Sequence, residues 1–122
     1  MRIYVTHAGS FNFKEELYQP LRGSELNNTH KIILPHEKSE GAYPSKELLK
    51  SSCDLVVAEI SNKSTSMGVE LGWANAYGVP IICIYKTGLE PSESLKEVTD
   101  NFMEYSNSKE LISKLEKIIR SL

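Results

Sequence analysis

Asp54-Leu55-Val56-Val57-Ala58-Glu59-Ile60, then Ser64-Thr65-Ser66-Met67-Gly68-Val69-Glu70-Leu71-Gly72-Trp73-Ala74, then Gly78-Val79-Pro80-Ile81-Ile82-Cys83-Ile84-Tyr85 decide the fold of this chain. The first and last runs are apolar through their centres, which reads as strands buried on both faces. Between them, a helix is predicted from Ser66 to Tyr77. It is closed by Gly78, with Pro80 soon after, an expected pair of stop signals. A buried strand, a helix and a second buried strand make a right-handed crossover between parallel neighbours.

The same alternation runs outward in both directions. Arg2–Thr6 and His30–Leu34 read as strands, the second stopped by Pro35. Lys14–Leu21 has helical spacing, but Pro20 shortens or kinks it. Ser45–Ser51 reads as a short helix with Ser45 as its cap. After Tyr85 come a loop over Lys86–Glu93, a helical turn over Ser94–Thr99 and a weak strand over Phe102–Tyr105. The helix over Ser108–Leu122 puts Leu111, Leu115, Ile118, Ile119 and Leu122 on one face, opposite Lys109, Lys114, Glu116 and Lys117. The expected architecture is α/β: three layers around a doubly wound parallel sheet of five strands, in the flavodoxin-like order 2-1-3-4-5. No repeat, low-complexity tract or linker breaks it, so residues 1–122 are read as a single domain.

Composition narrows the class of function. With 122 residues, 40% hydrophobic and 25% charged, and a formal net charge of −2, the chain has no basic field to favour a nucleic-acid polymer. One small phosphorylated molecule needs only a few donors and remains open. No apolar run reaches the roughly 18–20 residues of a membrane span. Met1-Arg2-Ile3-Tyr4-Val5 opens as a strand rather than a signal peptide. Cys53 and Cys83 read as buried thiols in a reducing cytoplasm. With His7, His30 and His36 they show no metal-ligand spacing, so neither metal nor cofactor is expected. Gly-x-Ser-x-Gly, Gly-x-x-x-x-Gly-Lys-Ser/Thr and Gly-x-Gly-x-x-Gly are all absent. That excludes an α/β-hydrolase elbow, a P-loop and a dinucleotide fingerprint.

In a doubly wound sheet the ligand lies beyond the carboxyl ends of the strands, at the switch point. The loops Thr6–Phe13 and Ser61–Ser66 belong there. So does Glu70, in the first or second turn of its helix, where the positive helix end favours an ionised carboxylate. Such a group can act as a nucleophile on a sugar carbon. An exposed helix glutamate paired with a lysine is the plainer alternative.

The block Ala58-Glu59-Ile60 followed by Lys63–Ala74 resembles the signature of the nucleoside 2-deoxyribosyltransferase family. It is particularly similar to the branch of 2′-deoxynucleoside 5′-phosphate N-hydrolases, whose strand ends in Ala-Glu-Val before Pro-Ser-x-Gly-x-Gly-x-Glu-Leu-Gly-x-Ala. Ile3-Tyr4, Gly9-Ser10 and Gly78-Val79-Pro80-Ile81 extend the likeness to about Tyr85. The resemblance implies that Glu70 attacks the anomeric carbon of deoxyribose and that Tyr4 orients it. It also implies that Gly9, Ser10 and Ser64 line the 5′ end, Ser64 standing where members acting on unphosphorylated nucleosides tend to carry Asp. A hydroxyl beside helix-start amides suits a phosphate that Asp would repel, and it also suits simple capping. Gly68 matches a glycine that keeps the helix start open, and Ser66 stands beside it where glycine is common. The partner implied is a small nucleoside or nucleotide, and the assembly a homo-oligomer in which a neighbouring subunit completes the site.

The chain departs from that pattern. Phe11-Asn12-Phe13 follows Gly9-Ser10 where the phosphate-hydrolase branch has an Arg, with Lys14 as the nearest cation. Pro44-Ser45-Lys46-Glu47 has no Asp in register for the sugar's 3′-hydroxyl. Lys63 replaces Pro, and the first loop is longer. The departures leave two other readings open: a nucleotide-binding module without turnover, and an N-glycosidase acting on another nucleotide such as NAD. Among lesser candidates, His36-Glu37 reads as a solvated loop that could reach a base. Glu59 reads as a structural hydrogen-bonding group, Asp54 lies at the wrong end of the sheet, and Trp73 reads as a packing or subunit-contact residue.

Overall fold

The computed structural model describes residues 1–39 and 41–122. Of the expected loop over 35–44, Glu40 therefore lies outside the described residues. The sheet comprises β1 (Arg2–His7), β2 (Lys31–Ile33), β3 (Leu55–Glu59), β4 (Ile81–Lys86) and β5 (Asn101–Tyr105). All pairings are parallel and the order is β2-β1-β3-β4-β5, as the alternation of buried runs required. The sequence reverses direction across the sheet at β1 and β3, which sit side by side with Tyr4 opposite Val56 and Thr6 opposite Ala58.

Successive residues of each strand face opposite layers. Ile3 and Val5 join Leu55, Val57, Ile82, Ile84 and Met103 on one face. That face is covered by a π-helical turn (Lys14–Tyr18), by α1 (Gln19–Arg22) and α2 (Leu26–Thr29) and by the C-terminal helix. Tyr4, Val56, Ala58, Ile81 and Cys83 form the other face, covered by α3 (Ser45–Ser51) and α4 (Thr65–Ala76). The C-terminal helix, α5 (Ser108–Arg120), buries Leu111, Leu115 and Ile119, each stabilising the fold by about 2 kcal/mol. Leu122 does not share that face. It lies past the helix end and is exposed.

Three local expectations are corrected. Pro20 does not interrupt a single helix. The turn over Lys14–Tyr18 closes when the Gln19 N–H donates to the Lys14 carbonyl five residues back, and Pro20 falls at the start of α1, where a missing N–H costs little. The short helix Leu26–Thr29 precedes β2, which begins at Lys31 rather than His30. Ser45 does not cap α3. Pro44 holds the cap position without a side-chain bond, and Ser45 is the first helical residue, its side chain buried. Among the described residues no helix is long and apolar enough to cross a membrane.

Candidate active site

The carboxyl ends of β1 and β3 face the start of α4. Ser64, extended at φ −154°, accepts the Met67 N–H with its hydroxyl at 3.3 Å and so caps the helix. Glu70 is the sixth helical residue, in the second turn. The helix end's field has largely faded there, and hydroxyl groups do the holding. The Tyr4 phenol donates to Glu70 Oε2 at 2.6 Å, and the Thr6 hydroxyl donates to Glu70 Oε1 at 2.6 Å. Tyr4 and Thr6 stand two apart on β1 and so emerge on the same face of the sheet, toward α4. Burial, then the neighbouring Glu70 charge and the hydrogen bond to it, push the Tyr4 phenol far above its usual range, while a hydrogen bond with Ser45 opposes the shift. Tyr4 therefore remains a donor at any ordinary pH.

A cavity of about 450 Å³ opens beside this carboxylate. Gly9, Ser64, Thr65 and Ser66 form its polar wall, and Val69 and Trp73 continue α4 along another. Tyr43, His7 and His36 supply rings, and Ser45 lies beneath Tyr43 and Tyr4, whose ring centroids are 6.0 Å apart.

His7 belongs to an aromatic cluster. Its ring stacks on Phe13 at 4.3 Å and meets Tyr18 and His36 edge-on at 5.2 and 5.6 Å. Hydrogen bonding fixes its tautomer. Nδ1 faces the Ala8 carbonyl at 3.0 Å and must donate, so Nε2 accepts from the Tyr18 hydroxyl at 2.7 Å. The Tyr18 oxygen in turn accepts the His36 N–H at 3.1 Å. Burial is the main cause that lowers the His7 pKa below its ordinary value, and burial raises that of Tyr18 to about 12. His7 is thus a neutral, oriented wall of the cavity.

Of the residues singled out in the sequence, Tyr4, Gly9, Ser64, Ser66 and Glu70 meet at this cavity. Ser10 and Gly68 do not line it. Ser10 accepts from the Asn62 amide at 3.0 Å, tying the loop after β1 to the loop before α4. Gly68 opens on an adjoining cavity of about 390 Å³ on the far side of Ser64 and Thr65. Lys14 lies with Tyr18, Gln19 and Arg22 on a third cavity, away from Ser64, and among the described residues only His36 borders both. At the start of α3 it is Ser45, not Glu47, that faces the site. Trp73 lines the cavity with Lys46 Nζ 5.7 Å from its ring centroid. His36 packs on rings at the cavity edge rather than standing free in a solvated loop.

Glu59 has no exposure and takes the structural part expected of it. It accepts the Ser61 N–H at 2.6 Å, the Ser61 hydroxyl at 3.1 Å and the Tyr105 hydroxyl. Asp54, at the opposite end of the sheet, accepts the Arg2 N–H at 2.7 Å. Among the described residues no three His, Cys, Asp or Glu side chains gather where they could hold a metal ion. Thr6, His7, Tyr43 and Ser45 were not anticipated. The period of two from Tyr4 could have pointed to Thr6, but the other three depend on loop paths.

No protein-family model and no curated protein matches the chain. Among solved structures, a pilus assembly-related protein from Burkholderia pseudomallei and a pilus assembly protein from Burkholderia thailandensis superpose with TM-scores of 0.49 and 0.47 at 11% and 10% identity, covering 96% and 98% of this chain and 87% and 98% of theirs. The CMP N-glycosidase BcmB of Clostridium botulinum superposes with a TM-score of 0.69 at 20% identity, over 95% of this chain and 99% of that one. The likeness to BcmB is one of fold, and it runs the length of both chains.

Proposed function

We propose that this chain is an N-glycosidase of the nucleoside 2-deoxyribosyltransferase type, hydrolysing the bond between base and sugar of a 2′-deoxynucleoside 5′-monophosphate. The observation that carries the reading is the Glu70 carboxylate, gripped through both oxygens by Tyr4 and Thr6 on the wall of a cavity that also holds the capped start of α4. The motif around Glu70 supports it, and so does the full-length likeness of fold to a CMP N-glycosidase.

In this reading a Glu70 oxygen attacks C1′ as the C1′–N bond breaks. The electron pair leaves with the base, which takes up a proton. Water then adds to C1′ of the glycosyl ester, releasing the sugar phosphate and restoring the carboxylate. Deoxyribose lacks the electron-withdrawing 2′-hydroxyl, so its cation forms more readily. The 5′-phosphate rests against Gly9, Ser64, Ser66 and the first amides of α4. Ser10 acts indirectly by holding Asn62, and Gly68 stands beside open space, where an added Cβ would meet no atom within 4 Å.

Exposed Val69 at the cavity wall on α4, and exposed Tyr77 just past the end of that helix, suit a second copy of the chain. A homo-oligomer, a single domain spanning 1–122 and a cytoplasmic setting complete the proposal.

The test is release of free base, followed by chromatography, from the deoxynucleoside monophosphates, the deoxynucleosides, CMP and NAD. Release abolished in Glu70→Ala supports the reading. The placement of Lys14 on a separate cavity favours one other reading, a nucleotide-binding module. That one gains if these nucleotides raise the melting temperature while no base appears.

A further inference from the structure

We propose that Thr6 is a positioning residue for Glu70, the second of two hydroxyls that together fix the plane of its carboxylate. The proposal rests on Glu70 being the nucleophile. The last torsion of a glutamate side chain, an sp³–sp² bond, has a broad, roughly two-fold profile. One hydrogen bond to one oxygen leaves the carboxylate free to swing about that contact. A second bond to the other oxygen, from a different direction, removes the freedom. Tyr4 and Thr6 supply those two bonds, each at 2.6 Å and each to its own oxygen.

Thr6 is suited to the task. It is 1% exposed, and its backbone is locked in the sheet opposite Ala58. Its β-branched side chain is stiff at χ1, so the hydroxyl has few alternative positions. It is not among the residues that line the cavity around Glu70, so it touches no substrate there and acts through Glu70 alone. Ser45, at the start of α3, lines the same cavity as Tyr4. Two hydroxyls of β1 thus fix the orientation of one carboxylate on α4. Near-attack geometry at a sugar carbon is where such an orientation shows in rate.

The test compares T6V, which removes the donor and keeps the shape, with T6S, which keeps the donor. Steady-state kinetics use a deoxynucleoside monophosphate that the wild type cleaves. The expected result is a kcat lower by about 100-fold in T6V with KM changed by less than about twofold, and a kcat largely recovered in T6S. A T6V enzyme with wild-type kcat overturns the proposal. So does a loss that T6S fails to repair, since that would mark a packing role. Crystal structures of the wild type and T6V give a readout independent of turnover. Glu70 in several carboxylate orientations in T6V supports the clamp, and one unchanged orientation overturns it. A wild type that cleaves no nucleotide sinks the functional reading, and the crystallographic comparison still decides the clamp.

Discussion

Tyr4 and Glu70 stand 66 residues apart in the chain and share a 2.6 Å hydrogen bond at the carboxyl edge of the sheet. The bond exists because β1 and β3 lie side by side and α4 begins just beyond the carboxyl end of β3. Tyr4→Phe removes only the donor. It leaves Glu70 with the Thr6 bond alone. Base release should fall by about 10- to 100-fold in kcat, and unfolding in urea should show a loss of about 1–2 kcal/mol. Combined with T6V, the losses should be less than additive, since the two hydroxyls act on one group. Strict additivity in that cycle would mean that they act separately.

Ser64 carries two roles that different substitutions separate. Ser64→Ala loses the bond to the Met67 N–H and should destabilise the fold by about 1 kcal/mol. Ser64→Asp keeps an acceptor at the cap and should leave stability within about 0.5 kcal/mol of wild type. Its charge would oppose a phosphate resting at the helix start. KM for a deoxynucleoside monophosphate should therefore rise in Ser64→Asp, while KM for the unphosphorylated nucleoside does not. Equal effects on both substrates would remove the phosphate from this end of the cavity.

The sheet order was legible because two apolar runs, the helix between them and two helix stop signals leave little freedom for any other crossover. The Tyr4–Glu70 pairing was legible only through the motif around Glu70, since nothing in the spacing of residues 4 and 70 brings them together. Ser45 was misread because a serine before Lys46-Glu47-Leu48-Leu49 matches the pattern of a cap. The turn set by Pro44 instead makes it the first helical residue, facing Tyr4. His7 was passed over because a lone histidine at a strand end carries no pattern. Its tautomer follows only from Ala8, Tyr18 and His36 meeting around it. Ser10 and Gly68 matched the motif by register, and register says nothing of which wall of the loop a side chain meets.

The His7 network makes stability depend on pH with a definite sign. Burial holds the His7 pKa below its ordinary value of 6.5. The unfolded chain therefore takes up a proton first as pH falls. The contribution of His7 is fully present above pH 6.5 and is lost on acidification from there down to the folded-state pKa. Protonated Nε2 would become a donor toward Tyr18, whose own hydroxyl would have to turn away. His30 is also lowered, by burial and by the N-terminal amine, so His30→Asn is the proper background. Urea unfolding at several pH values between about 7.5 and 5 should show the His7→Asn variant losing less stability on acidification than its background does. An unchanged slope would place the proton elsewhere.

Glu59 has the opposite sign. Burial raises its pKa above the ordinary 4.5, although the hydrogen bonds from Tyr105 and Ser61 pull the other way. A folded-state pKa above the unfolded one gives stability that is complete below about pH 4.5 and is lost as pH rises through the folded value. Above about pH 4.5 the unfolded chain releases a proton that the folded carboxyl still holds, and this cost to the wild type grows with pH up to the folded value, its three donors offsetting it only in part. Glu59→Gln keeps an acceptor for the Ser61 N–H and a polar group toward Tyr105, without the charge. Relative to wild type, it should gain stability as pH is raised from 4.5 to neutral. Glu59→Leu keeps no acceptor, strands Tyr105 and Ser61, and should destabilise by about 3 kcal/mol at pH 4.5, a deficit that narrows toward neutral pH because leucine too lacks the titrating carboxyl. It should also loosen the loop from Ser61 to Ser64, because Ser61 ties that loop to Glu59 and to the Lys86 N–H. Urea unfolding of the three proteins at pH 4.5 and 7.5 checks both effects. A Glu59→Gln difference that stays constant across that range would mean that the carboxyl titrates alike in the folded and unfolded chains.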